Sequence, residues 1–338
     1  MKIKYLFTIS LLFFLICLIS CDTKTRDVKK ESVGLFPIKQ NGKYGYINKK
    51  GEIVINPQFD SASPFSEGLA FVQVGDKYGF IDKTGKYVIN PQFDEASIFS
   101  EGLAMVNIGG IKTENKPLEG GKWGYIDRTG KYVINPQFDA ASSFSEGLAA
   151  IKSGDKYGAI DKTGKYVINP QFDFAFFFSE GLSSVSIGRE IKYPSINMGK
   201  VGYIDKTGKY VINLQFDFAS YFSEGLAAVY IAAKQGIFFL SGGKWGYIDK
   251  TGKYVINPQF AGAHDFSEDL AAVNIGGEAN QFYTEGGKWG YIDKNGKMVI
   301  NPQFDDAESF KEGLAKVTIG DKMGYIDKTG KYVWNPTD

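Results

Sequence analysis

The chain has 338 residues and a formal net charge of +1. A near-neutral chain argues against nucleic acid as a partner, since phosphate binding draws on a surplus of Lys and Arg. His264 is the single histidine, so no His-based metal site and no unaided catalytic triad is available.

The chain opens MKIKYLFTISLLFFLICLISC, with Lys2 and Lys4 ahead of an apolar run over 6–18. Its end, Leu18-Ile19-Ser20-Cys21, resembles the lipobox of bacterial lipoproteins, in which a small residue precedes a cysteine that is lipidated and becomes the new N-terminus. That resemblance implies a signal peptide over 1–20, lipid on Cys21 and a membrane as partner, because several acyl chains give stable anchoring. A simply cleaved signal peptide is one alternative. A spanning anchor is the other, although 5–20 is short for a span that needs about 20 residues. Cys17 leaves with the signal and Cys21 is consumed by lipid, so the mature chain keeps no thiol for a disulfide, a metal or a nucleophile. The expected location is a bacterial cell envelope, with the periplasmic and outward faces both open. Residues 21–33 are polar and read as a tether.

From 34 onward the texture is constant. The Gly of a Lys-aromatic-Gly step recurs at 45, 79, 124, 158, 202, 246, 290 and 324. The base period is 34, and some copies are longer by 10 or 11 residues. A period of 34 also belongs to helix-pair repeats, but these copies are rich in Gly, Tyr, Val and Ile and carry Asn-Pro, which favours strands. In the copy that starts at Gly68, 68–74 reads as a first strand and 75–77 as a turn. A second strand follows over 78–82, a tight turn over 83–85, and a third strand over 86–90 stopped by Pro91. Phe93, Ala96 and Phe99 then recur at intervals of three, which suits one helical turn with Asp94 as N-cap and Gly102 as terminator. Cut this way, the chain is an all-β repeat protein of eight three-stranded antiparallel units, at about 34–67, 68–101, 102–146, 147–180, 181–224, 225–268, 269–312 and 313–338. A stacked or superhelical array is the first expected arrangement, and a closed propeller-like ring is the second.

The strings KWGYIDKTGKYVINPQF (244–260) and FSEGLA (144–149) carry a resemblance to the WG-repeat proteins, also called KWG repeats, over about 34–336. The chain departs from the pattern with Tyr44, Tyr78 and Tyr157, Val201 and Met323 in place of Trp. The resemblance brings no catalytic residues. Letters that recur in every unit are explained by what every unit must do, which is to bury a sheet face against its neighbour. Alternation puts Trp245 and Tyr247 on one face and Gly246 and Ile248 on the other. Asp249 and Thr251 suit the turn that Gly252 closes. Phe260 and Phe266 suit the space between units.

Glu101, Glu146, Glu180 and Glu224, with Asp94, Asp139, Asp173 and Asp217, are the tempting catalytic candidates, since paired carboxylates perform glycoside hydrolysis. Their recurrence reads instead as an Asp that caps and a Glu that satisfies local backbone amides. His264 reads as a loop histidine. No phosphate loop, HExxH or nucleophile elbow is present, so no enzyme activity, cofactor or metal is expected.

Function is expected in what is not repeated. Long inserts at 107–121, 186–199, 230–243 and 274–287 all fall between the first and second strands, and equivalent inserts project from one face. Tyr193, Phe238, Phe239, Phe282 and Tyr283 are their candidate binding residues, suited to a protein or glycan partner. Trp123, Trp245 and Trp289 each follow a long insert, either because the indole packs beneath it or because these copies share ancestry. The expected function is a non-enzymatic, lipid-anchored envelope protein that presents a surface for protein or glycan binding. A structural spacer and a glycan-acting enzyme are the alternatives.

Overall fold

The computed structural model describes residues 34–337, apart from 49, 112–117, 193–194, 233, 236–239 and 280–283. Every regular element in it is a strand. The first sheet is three-stranded (Phe36–Gln40, Lys43–Ile47 and Ile53–Phe59). Seven four-stranded antiparallel sheets follow, over 61–93, 95–138, 140–172, 174–216, 218–260, 262–304 and 306–337. Each has the build of a propeller blade, and the fold is the propeller-like repeat that stood second among the expected arrangements. The chain divides into two compact units at Pro170, in the last strand of the fourth sheet.

The second sheet shows how one copy of the repeat folds. Its strands are Ser61–Ala62, Leu69–Val74, Lys77–Asp82 and Tyr87–Phe93. The three long ones were legible in the pattern. The expected helical turn is not there, and this is a correction with a plain cause. In the third sheet Glu95–Ala96 pairs with Asn107 and Val106, and the Asp94 and Ser97 N–H groups flank that pairing by donating to Asn107 and Met105 carbonyls at 3.0 Å. Phe93, Ala96 and Phe99 are buried by an extended segment followed by a kink, and three-residue spacing does not separate that from a helix over so short a run. Each four-stranded sheet therefore starts before the point at which the sequence repeat was cut. The unit at 68–101 supplies three strands to one sheet and the short strand to the next.

Pro91 does not stop the last strand. Tyr78 pairs with Phe93 while Phe80 pairs with Ile89, so four residues on one strand span the distance of two on the other. The surplus forms a bulge in which Pro needs no N–H partner. That bulge is why the recurring Gly is a glycine. A Cβ at Gly79 would stand 2.6 Å from both the Ile89 carbonyl oxygen and the Pro91 nitrogen. The close approach is made by the strand beside it in its own sheet.

Within each unit, consecutive sheets pack face to face. Leu69, Phe80, Phe93 and Phe99 join Ala104, Val106 and Ile126 between the second and third sheets. Trp245, Tyr247, Phe260 and Phe266 join Ala271 and Ile292 between the sixth and seventh, while Ile248 faces the other way, into the cluster shared with the fifth. The alternation read from the sequence holds. Gly252 closes its turn at φ 85°, and the Asp249 carboxylate accepts from the Thr251 N–H at 2.9 Å and the Thr251 hydroxyl at 2.6 Å.

Gly246→Val is expected to destabilise the second unit by at least about 2 kcal/mol. Its Cβ would sit 2.6 Å from the Ile256 carbonyl oxygen and 2.7 Å from the Pro258 nitrogen. Urea unfolding that matches the parent would contradict this account of the bulge.

Candidate binding face

The repeated carboxylates are engaged in holding sheets together, at both ends. At the insert end, Asp139 follows the last strand of the third sheet. It ion-pairs with Lys122 of that sheet at 2.5 Å and accepts from the Gly154 N–H of the fourth at 2.8 Å. Asp94 bridges Lys77 to the Gly109 N–H, at 2.6 Å, in the same way, and Asp217 bridges Lys200 to the Ala232 N–H. The Lys122 ammonium holds the Asp139 carboxyl below the usual range. Asp173 accepts from the Gly188 and Arg189 N–H groups. These aspartates cap the turn before a neighbouring strand and cap no helix.

At the opposite end, the Glu of several FSEG turns reaches the next sheet and not the local backbone amides that the sequence led one to expect. Glu101 accepts from the Gly147 N–H at 3.0 Å and the Lys162 ammonium at 3.1 Å. Glu180 takes the Gly225 N–H and Lys250, and Glu224 takes the Glu268 and Asp269 N–H groups and Lys294. All these glutamates, Glu146 included, sit at φ 51–56°, a left-handed conformation that L-residues adopt at a cost. The preceding Ser adds a bond in the same direction: Ser179 Oγ donates to the Phe222 carbonyl at 2.7 Å. The buried Tyr of the WGY step adds another, with Tyr247 Oη donating to the His264 carbonyl at 2.8 Å. Glu180→Ala should therefore cost about 2 kcal/mol, through a lost charge-assisted bond with the strain retained. Glu180→Gly should cost less, because Gly relieves the strain. Equal losses in thermal unfolding would refute the clasp.

The inserts were the expected site. Tyr193, Phe238, Phe239, Phe282 and Tyr283 lie outside the described residues, as does Cys21. The stems of the inserts are described. The insert of the fifth sheet extends its hairpin as Leu182–Lys192 and Ser195–Asp205. Those of the sixth and seventh sheets build small two-stranded sheets of their own, Lys234–Gln235 with Leu240–Ser241 and Glu278–Ala279 with Thr284–Glu285. These two inserts are joined, since the Gly242 N–H and Tyr230 Oη both donate to the Ala279 carbonyl, at 3.0 and 3.3 Å. Two of the three indoles pack beneath their inserts, which favours the first of the two explanations left open by the sequence. Trp245 lies 5.3 Å from the Tyr230 ring and shares a cluster with Ala232 and Ala279, and Trp123 shares one with Leu118. Ile111, at the tip of the described stem, is 67% exposed.

The sequence reading passed over a second unrepeated feature, in the connectors of the second unit. There the residues after the short strand are Phe176-Phe177, Ser220-Tyr221, His264-Asp265 and Glu308-Ser309, against Ser63-Pro64, Ser97-Ile98 and Ser142-Ser143 earlier in the chain. The signal was available as departure from the repeat. The connector of the seventh sheet departs most, with Ala261, Gly262, His264, Asp265 and Asp269. His264 is in a connector, as expected, but its ring is packed edge-on against Trp289 at 4.9 Å. Burial pushes its pKa down, with Asp306 and Glu308 acting the other way. Asp265 accepts side-chain hydrogen bonds from Ser220 and Tyr221, yet burial pushes its pKa up to about 6. Its Oδ1 is shielded from solvent and has no hydrogen-bond partner.

The sign of the resulting pH effect is definite. A carboxyl raised from 3.8 to about 6 in the folded state binds more protons there than in the unfolded chain between those values. Its contribution to stability falls as pH rises through that window and stays low above it. The clamping aspartates have lowered pKa values and act with the opposite sign, at lower pH. Asp265→Asn should thus raise the melting temperature at pH 7 and remove a falling slope between pH 4 and 6. A parallel profile for parent and variant would contradict the burial of this charge.

Comparison with known proteins agrees with the repeat. The profile of the family described as WG containing repeat matches 44–78, 78–110, 123–157, 157–189, 202–234, 245–278 and 289–322. No curated protein matches the chain in sequence. Among solved structures, a eukaryotic initiation factor superposes with a TM-score of 0.58 at 12% identity, covering 90% of this chain and 84% of that one. Hsv2p of Kluyveromyces lactis gives 0.45 at 8% identity, covering 82% and 97%. PorZ of Porphyromonas gingivalis, a bacterial surface component of the type-IX secretion system, gives 0.31 at 10%, covering 88% and 50%. At these identities the first likeness concerns the fold alone.

Proposed function

Given that the chain belongs to the WG-containing repeat family, we propose that it is a non-enzymatic, lipid-anchored protein of the bacterial cell envelope whose propeller-like repeat presents a binding surface to a protein or glycan partner. One observation carries the binding role. The recurring Asp and Glu residues are committed to clamps between neighbouring sheets, so the side chains left for recognition are those the repeat does not specify. These are concentrated in the inserts, which leave the sheets at one end, and in the connectors of the second unit. A frame held by repeated contacts, with variable segments at equivalent positions, is the arrangement by which repeat proteins separate stability from recognition.

The envelope location rests on the N-terminal sequence, where Cys21 ends the apolar run. Cys21→Ser is expected to move the protein from the membrane fraction to the soluble envelope fraction and to abolish incorporation of labelled palmitate. Retention in the membrane with label intact would overturn the anchoring. Proteinase treatment of intact cells then assigns the exposed face. For the binding role, inserts 230–243 and 274–287 are replaced by the short Gly-Asp-Lys turn of the second sheet. The variant is expected to fold but to lose its crosslinked partner in the envelope. Undiminished crosslinking would remove the inserts from the binding surface.

A further inference from the structure

Charge balance isolates one carboxylate in the second unit. Asp217 and Asp305 meet Lys200 and Lys288, and Glu180, Glu224 and Glu268 meet Lys250, Lys294 and Lys328. Among the described residues no cation acts on Asp265, which is held by two neutral hydroxyls and has an Oδ1 with no partner. An unpaired buried carboxylate is costly, and a cation that reaches it removes the cost.

The surroundings suit such a cation. Asp265 occupies the connector position held by Phe177 in the fifth sheet, Tyr221 in the sixth and Ser309 in the eighth. The Phe177 and Tyr221 rings lie 4.9 Å apart at 44°, Tyr221 hydrogen-bonds the Asp265 side chain, and Ser309 Oγ donates to the Asp265 carbonyl at 3.5 Å. The four residues form a row across successive sheets; Phe177, Tyr221 and Asp265 each keep part of their residue surface in solvent, while the Asp265 Oδ1 itself is covered. His264 beside it is kept neutral by burial and does not repel a positive ligand. Tyr203 and Tyr247, the other ionisable groups coupled to the carboxylate, are held in the neutral phenol form by burial.

We propose that this row is a binding subsite for a primary ammonium group, in which the Asp265 carboxylate pairs with the ammonium and the Phe177 and Tyr221 rings flank it. An ammonium supplies both the missing charge and up to three N–H donors, and aromatic faces add cation–π attraction. A neutral hydroxyl supplies a donor without the charge. The proposal rests on the binding role put forward above and names what that role recognises: a lysine-type side chain or an amino sugar, which share this chemistry.

The test is calorimetric titration of the full-length protein at pH 7 with n-butylammonium and with glucosamine, using glucose and sodium chloride as controls. Saturable binding of an ammonium probe is expected, with no binding of glucose or sodium. Tighter butylammonium assigns a lysine-type source, and tighter glucosamine assigns an amino sugar. Asp265→Asn should weaken the ammonium at least about tenfold, the loss of one charge-assisted pair, and Phe177→Leu should weaken it several-fold without altering the Asp265 hydrogen bonds. The proposal is overturned if neither ammonium binds, if glucose binds as well as glucosamine, or if both variants bind like the parent. The insert-replacement protein should bind the probe normally, so failure of the insert surface and failure of this subsite are read separately.

Discussion

Everything in this architecture depends on a strained glutamate. At each FSEG turn a non-glycine residue is held at φ 51–56°, which costs on the order of 1–3 kcal/mol. At Glu101 and Glu180 it is held by a charge-assisted bond to a backbone N–H of the following sheet, with a lysine from that sheet completing the contact. A sheet in isolation has the strain without the bond. The turn is therefore stable only in company, and the same is true of the Asp clamp at the opposite end, whose two partners belong to different sheets. A single sheet also leaves its apolar faces without a second layer to bury them. The clamps explain why the same letters return in every copy.

The offset between sequence repeat and sheet strengthens this coupling. The segment cut at 68–101 contributes strands to two sheets, so the covalent chain, the short strand and both clamps cross the same boundary. Repeat arrays are held by nearest-neighbour terms, and here those terms are polar as well as apolar. Tyr247 illustrates the combination. Its ring is fully buried between the sixth and seventh sheets, 4.9 Å from Phe266. Its hydroxyl finds the His264 carbonyl, which satisfies the one polar atom that burial would otherwise penalise.

Most of the frame was readable because its signals are local. Alternation fixed the faces of Trp245, Tyr247 and Ile248, and the Asp-Lys-Thr-Gly turns formed as their chemistry dictates. The misreadings came where pairing partners are distant in sequence. Ala96 is extended because Val106 lies opposite it, and nothing between 93 and 99 announces that partner. Pro91 stays in its strand because a bulge places its nitrogen over Gly79, a contact that links two repeat letters read as separate signals. The site was harder still. His264 drew notice as the single histidine, whereas Asp265 beside it passed as one acid among many. Its exceptional status lies in having no lysine beside it among the described residues, which only the surroundings reveal.

The seventh connector also shows how the array absorbs departure from its own rule. Ala261 stands where the other sheets have the clamping Asp. In the third sheet Asp94 accepts from the Gly110 N–H, and the buried Asn107 amide is left without a partner. In the seventh, Asn274 at the matching position accepts from the Gly277 N–H and donates to the Gly286 carbonyl. The Asn thus takes over one of the two duties of the lost carboxylate. The other duty, pairing with lysine, is vacated, and the sheet joint relies on the remaining Glu clasp, in which Glu224 binds the N–H of Asp269 and that of Glu268. Coupling between neighbours confines such a change to one joint. A repeat built this way has room to alter one connector for recognition while the rest of the frame stays as it was.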